Sequence, residues 1–547
     1  MITESFGGRM SAVPGGVSGA AASPRPFSAA IMSPGGLGSA LRRHWLLAVL
    51  LTAGLVLRAA TQIAYRPALL YIDSIKYLFG AYAGNDPPGY QLALKVFLSV
   101  GTLPMVAAVQ HILGLCMAVA LYLILRRRGV PRWLAALATA PVLLDGYQLQ
   151  IEQSIMPDTA FEALIVAGLV ILLWQPRPRA WMVVGAGLAL GASATVRQVG
   201  EIFILPAIGY VLIAVPGWRP KLIRAVALCI AFALPILVIS FRNYVAIKHF
   251  ALAPYAANSI YGRAAAAADC STLTLPSYER SLCPSRSEQA RGPDWLDHST
   301  ASPIRHVVLP RNMRHYSADS DFSRRVFLQQ PLRVGVAVAK DAIKLFAIQR
   351  VQDHGDTPIS RWQFQRAYPL YPPYITVQGD RLRFVRLTPA GKQKVIATGQ
   401  RFTGGEPATS AGLARFLRAY QLDGGYTPGP LLLFMVLAGL AGSLGAARRG
   451  ASSAQRATAM ACLLTFLSAA AVLLASDLFE FSWRYQLPAL VTLPAAGALG
   501  ITVVTGYFAA RRRQPAGQQI AAGVGQPTSV PGEGARGPQR KDRASAG

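Results

Sequence analysis

The sequence predicts an all-α protein that crosses a lipid bilayer about ten times (a range of ten to thirteen), with a large extracytoplasmic segment between late helices. Three observations predict it. Of 547 residues, 52% are hydrophobic and 14% charged, where a soluble protein carries about 25% charged residues. The apolar residues are gathered into runs, several of them near the length of about 20 that crosses a hydrocarbon core. Arginine clusters, finally, recur in connections on alternate sides of successive runs, the positive-inside pattern that sets membrane orientation.

Taken in order, residues 1–40 are rich in Gly, Ser, Pro and Ala without periodicity and read as a disordered cytoplasmic tail. Ten spans follow: Trp45–Ala64, Leu103–Leu125, Trp133–Leu144, Ala160–Trp174, Trp181–Thr195, Ile202–Val215, Ala225–Ile239, Leu431–Leu444, Ala457–Ala475 and Leu487–Ala509. Arg42-Arg43, Arg126-Arg127-Arg128, Arg177 with Arg179, Arg219 with Lys221 and Arg224, Arg448-Arg449 and Arg511-Arg512-Arg513 then all lie on the cytoplasmic side, with both termini. This divides the chain into a transmembrane module at 41–240 with outer loops 65–102 and 145–159, an extracytoplasmic domain at 241–428, late helices at 429–510, and a second disordered tail at 511–547. A segment as long as 241–428 is expected to fold rather than stay a loop. The stretch Lys95-Val96-Phe97-Leu98 suits a helix lying along the membrane surface.

The net charge of +29 invites a nucleic-acid reading, but its placement beside the spans assigns it to orientation and to membrane lipid headgroups instead. Cys116, Cys229 and Cys462 lie within apolar runs; Cys270 and Cys283 lie in the long segment, where either a disulfide or two free thiols is open. No zinc-ligand spacing and no Gly-rich phosphate loop occurs, so neither a metal nor another cofactor is expected. Asp319-Ser320-Asp321 and His298, His306 and His315 read as solvated surface.

Ionisable residues gather at the outer ends of the spans. Asp73, in Tyr71-Ile72-Asp73-Ser74, stands among apolar neighbours, where desolvation raises a carboxyl and suits it to take up a proton; a helix N-cap is the plainer role. Asn85-Asp86-Pro87-Pro88-Gly89-Tyr90 marks a rigid turn on the same connection. Asp158 precedes an apolar run, again a capping position, and Glu152 lacks a sequence partner. Arg197 and Arg484, at the mouths of spans, either snorkel to water or hold phosphate oxygens with the guanidinium fork.

Asp73-Ser74 with Tyr77-Leu78, Pro87-Pro88-Gly89-Tyr90, Met156-Pro157-Asp158-Thr159 and Arg484-Tyr485 before Pro488 together resemble the GT-C glycosyltransferases, in the bacterial branch similar to protein O-mannosyltransferases and aminoarabinose lipid A transferases. The resemblance covers about 45–244 and the last span. It implies a GT-C-like fold and an inverting transfer of sugar from a polyprenyl-phosphate carrier to an unknown envelope acceptor, on the outer face of the cell membrane. It implies Asp73 as the catalytic base, with Asp158 and Glu152 positioning acceptor or base. Arg197 and Arg484 are its candidates for the carrier phosphate, with Lys76 added. Asp86 stands where relatives often carry His or Lys, and no Asp-X-Asp pair occurs in the first outer loop, which points away from the metal-dependent oligosaccharyltransferases. The competing classes are a multi-span transporter of an envelope precursor and a noncatalytic scaffold.

Overall fold

The computed structural model describes residues 36–512, apart from 82, 257, 312, 370–374, 379–380, 388–393, 399–401 and 448–451. The tails at 1–35 and 513–547 and the basic pair at 448–449 lie outside the described residues. Residues 36–43, partly assigned above to the tail, form the helix Gly36–Arg43.

Helices occupy all ten apolar runs. Six are long and apolar enough to cross a membrane among the described residues: Trp45–Ala64, Leu103–Arg127, Trp218–Ile247, Gly429–Ala447, Ser453–Asp477 and Pro488–Ala509. The other four runs give shorter helices. Trp133–Leu144 breaks into Arg132–Leu137 and Ala140–Leu144, because Pro141 supplies no amide hydrogen to continue the ladder. Asp158–Leu173 has 16 residues and Ala180–Val196 has 17. The span drawn from Ile202 starts as the 3-10 turn Gln198–Phe203 and continues as Ile204–Ala214. The chain is a multi-pass membrane protein, and its unpaired apolar surface is where such a protein meets lipid: Leu237, Val238 and Phe241 on Trp218–Ile247 are exposed, as are Leu431 and Leu437.

Helix Trp218–Ile247 runs past the boundary drawn at 240, so the long segment begins at its left-handed cap, Lys248. Part of that segment has a core of its own, in which Tyr261, Leu282, Leu296, Phe322 and Val334 pack together. Cys270 and Cys283 are disulfide-bonded beside it. An all-α chain was expected, yet the segment also forms a small antiparallel sheet of Ile375–Gln378, Arg381–Leu387 and Lys394–Thr398. Asp319, expected at a solvated surface, is 1% exposed. Its helix, His315–Gln329, turns that residue into the same core as Phe322 and Val326.

Three connections fasten the segment to the helices. Tyr65-Arg66 pairs with Ala408-Thr409 as a short antiparallel ladder. Tyr65 donates its hydroxyl to the Gln365 carbonyl at 2.6 Å. Arg350 reaches Asp145 at 2.7 Å, under the rings of Tyr147 and Tyr426, while the Thr427 amide donates to the same carboxylate. The middle of the segment, at Arg350, and its C-terminal end, at Thr427, are therefore both held by Asp145, just before Gly146.

Candidate functional site

The first connection is stitched to the second by backbone. Leu69 donates to the Gln153 carbonyl and accepts from the Ile155 amide, while the Ser74 hydroxyl accepts from Tyr71 and donates to the Ile155 carbonyl. These bonds bring Asp73 beside Asp158. The Pro87-Pro88-Gly89 turn docks on the end of Ala180–Val196: a Cβ on Gly89 would stand 2.4 Å from the Thr195 carbonyl oxygen. Only glycine permits that approach, and it sets the turn two residues from Arg197.

Asp73 occupies the N-cap position of Ser74–Phe79, yet its side chain caps nothing. It reaches instead to Lys76 Nζ at 3.2 Å and to Arg484 Nη1 at 3.2 Å. Lys76 also meets Asp86 at 3.0 Å. Asp158 is the first residue of its helix, and Pro157 holds the cap position. Its carboxylate is paired with Arg197 and lies 3.7 Å from Arg484 Nε. The Tyr485 ring sits between the two guanidinium groups, 4.7 Å from that of Arg197 and 4.6 Å from that of Arg484. The structure thus unites Asp73, Lys76, Asp158, Arg197 and Arg484 in one ion-pair cluster, and neither aspartate acts as a simple cap.

One expectation is overturned. Burial alone would raise the Asp73 carboxyl, but Lys76 and Arg484 outweigh it and hold the group well below the usual carboxylate range. Asp73 is therefore ionised, as a base must be, without the elevated affinity for protons that desolvation alone suggested. Lys76 is driven the opposite way: burial would lower it, and Asp73 with Asp86 raises it well above its ordinary value.

Glu152 stands behind this cluster. One carboxylate oxygen pairs with Arg58 at 2.8 Å and the other meets His111 Nδ1 at 2.9 Å, all three side chains being buried. Gln148 bridges Glu152 to Glu162. The pair depends on Gly114, whose Cβ position is 2.2 Å from Glu152 Oε1. The partners that the local sequence lacks come from two spanning helices.

Reasoning on the sequence missed the contribution of the long segment. Trp362 lies 4.7 Å from the Arg484 guanidinium and 4.6 Å from the Tyr71 ring. Arg361 pairs loosely with Asp294 at 3.6 Å. Glu480 faces Arg484 and Arg361 as well as Asp294, and its burial raises it to about 7. Nothing local in Ser360-Arg361-Trp362 signals these contacts, which arise from chain closure over long separations. Among the described residues no three of His, Cys, Asp and Glu converge as metal ligands do.

Five ionisable side chains from four separate connections and helix starts converge here, and a family match covers most of them. Residues 72–251 match the dolichyl-phosphate-mannose-protein mannosyltransferase family. The resemblance to GT-C membrane glycosyltransferases holds over that segment, about a third of the chain, which contains Asp73, Lys76, Glu152, Asp158 and Arg197 but neither Trp362 nor Arg484. No curated protein sequence matches. Among solved structures, the chain aligns with the Saccharomyces cerevisiae protein O-mannosyltransferase complex bound to its sugar donor at 17% identity and TM-score 0.30, over 41% of this chain and 36% of that one. It aligns with the Archaeoglobus fulgidus oligosaccharyltransferase holding an inhibitory peptide and dolichol-phosphate at 15% identity and TM-score 0.36, over 89% and 53%. For the Cupriavidus metallidurans protein ArnT bound to undecaprenyl phosphate the figures are 11%, 0.27, 87% and 80%. The chain thus spans about a third of the length of the yeast protein and half that of the archaeal one.

Proposed function

We propose that this chain is an inverting glycosyltransferase that moves a sugar from a polyprenyl-phosphate carrier to an acceptor hydroxyl at the outer face of the membrane. The observation that carries the reading is Arg484 lying between two carboxylates, Asp73 and Asp158, with Arg197 alongside. The Cys270–Cys283 disulfide supports an oxidising, extracytoplasmic position for the long segment.

In the reaction Asp73 takes the proton of the acceptor hydroxyl as that oxygen bonds to the anomeric carbon. The bond from that carbon to the phosphate oxygen breaks, and its electron pair leaves with the polyprenyl phosphate. Arg484 and Arg197 stabilise the charge that develops there. Without substrate these cations are bound to Asp73 and Asp158. A carrier phosphate competes for Arg484, and once it draws the guanidinium away, Asp73 loses a positive neighbour and gains proton affinity. Donor binding thereby activates the base. Lys76 remains beside Asp73 and Asp86. Glu152, engaged by Arg58 and His111, holds the second connection in place behind Asp158.

The test is release of free polyprenyl phosphate from a radiolabelled polyprenyl-phosphate sugar by purified protein in lipid, wild type beside D73N. Release by the wild type alone supports the reading. No release from any donor, even with envelope extract, removes it. The buried Arg58–Glu152–His111 network favours a transporter as the second reading, because intramembrane charges often mark transport paths; uptake of a lipid-linked sugar into vesicles without its hydrolysis would establish that one.

A further inference from the structure

Lys76 is held between two carboxylates that enter from opposite ends of the first connection. Its Nζ lies 3.2 Å from Asp73 Oδ1, one helical turn back, and 3.0 Å from Asp86 Oδ2. Asp73 gives its other oxygen to Arg484. Among the described residues Asp86 pairs with Lys76 and with no other cation. The cluster therefore has two sides. Asp158 and Arg484 are buried, whereas the side chains of Lys76 and Asp86 are 27% and 39% exposed and form its open edge.

The turn that carries Asp86 is braced without any substrate. Gly89 seats on the Thr195 carbonyl. The Tyr90 hydroxyl donates to Gln110 at 2.8 Å, and Gln110 donates onward to the carbonyls of Glu152 and Ser154. Tyr77, next to Lys76, meets the Tyr90 ring edge-on at 5.2 Å. Asp86 is thus held on Lys76 by a fixed loop, unlike an exposed ion pair made by two unrestrained side chains.

The charges around the base give Asp86 its part. Lys76 and Arg484 are the cations on Asp73, and the phenols of Tyr77 and Tyr485 also face it, both kept protonated at neutral pH by burial. Once a carrier phosphate draws Arg484 away, the base is left with Lys76. When Asp73 then accepts a proton it becomes neutral and ceases to balance the ammonium. An unbalanced, half-buried ammonium beside it would oppose that protonation. Asp86 supplies the balancing charge throughout.

We propose that Asp86 is a positioning residue for the base, acting through Lys76, which it keeps as a paired ammonium while Asp73 takes up the acceptor's proton. The inference rests on the transferase reading and deepens it, by adding to the site a residue that touches neither substrate.

Release of polyprenyl phosphate from its mannose-bearing form is followed between about pH 4 and 8 for the full chain in lipid nanodiscs, because kcat reports the ionisations of the substrate-bound enzyme. Wild type is compared with D86N, D86E, K76Q and the K76Q/D86N pair. D86N is expected to lower kcat about three- to tenfold and to move its acid limb down by about one pH unit, as loss of a nearby negative charge does to a carboxyl. Affinity for bare polyprenyl phosphate and thermal melting should stay at the wild-type level. D86E should restore both kcat and the limb, and K76Q/D86N should match K76Q, since Asp86 then has nothing to act through. A limb that stays or rises in D86N, or effects of D86N and K76Q that multiply, overturns the proposal. Lower melting or weaker carrier binding in D86N, not restored in D86E, assigns Asp86 to the turn alone and overturns it too. Absence of release by the wild type removes the transferase reading and this inference with it, whereas wild-type release matched by D86N at every pH removes this inference alone.

Discussion

Arg484 Nη1 lies 3.2 Å from Asp73 Oδ2, a contact between residues 411 apart in sequence. It joins the loop before the last spanning helix to the loop after the first, and together with Lys76 it holds the proposed base in its ionised state before substrate arrives. Because the Asp73 carboxyl is depressed in the folded protein, the stability it contributes is present above the unfolded value near 4 and is lost as pH falls through the lower folded value. Between pH 5 and 8 the pair is intact.

The first prediction concerns that pair. In R484Q, Asp73 loses one of its two cations and its carboxyl rises, since burial then opposes ionisation with only Lys76 against it. The acid limb of the pH–rate profile should move upward relative to wild type. A limb that stays in place would separate Arg484 from the charge state of Asp73.

Asp73→Asn removes the proton acceptor while keeping size and polarity. Turnover should fall by about 10²–10⁴-fold, the usual worth of general-base help, with melting in detergent little changed. Near-normal release of polyprenyl phosphate would take Asp73 out of the mechanism.

Arg197→Ala takes away the cation that pairs with Asp158 and packs on Tyr485. Affinity for polyprenyl phosphate should weaken about tenfold or more, as for loss of one charge-assisted contact. Binding at the wild-type level would rule out Arg197 as a phosphate ligand.

Glu152→Gln should behave differently, as a folding defect. It leaves Arg58 and His111 buried without their carboxylate, a loss of about 3–5 kcal/mol when one partner of a buried pair is removed. Gly114→Ala should produce the same defect by displacing the carboxylate. Melting of both variants is the readout, and a wild-type transition in either would show that the network is dispensable.

Asp319 gives a pH test within the long segment. Burial pushes its carboxyl up to about 7, with Arg305 opposing. The folded state then binds a proton that the unfolded state releases near pH 4, so stability is full below that point and falls as pH rises toward 7, by at most about 4 kcal/mol. Asp319→Asn should remove that fall and raise melting at pH 8. Equal slopes for the two proteins between pH 5 and 8 would refute it.

Membrane class, the helical runs and the acidic and basic residues at their ends were legible in the sequence, because spanning a bilayer demands local apolar length and local backbone satisfaction. Asp73, Asp158, Arg197 and Arg484 could be picked out because they lie at the ends of the runs opposite the basic clusters. The sequence by itself determined which segments are helices and which side chains were available for chemistry at their ends. The tertiary structure alone decided which of them meet. Glu152 went to Arg58 and His111, Asp73 to Arg484, and Trp362 and Glu480 joined a site that no local pattern predicted. The physical reason is range: apolar length acts within one segment, whereas ion pairs and orphaned polar atoms are set by packing between segments hundreds of residues apart.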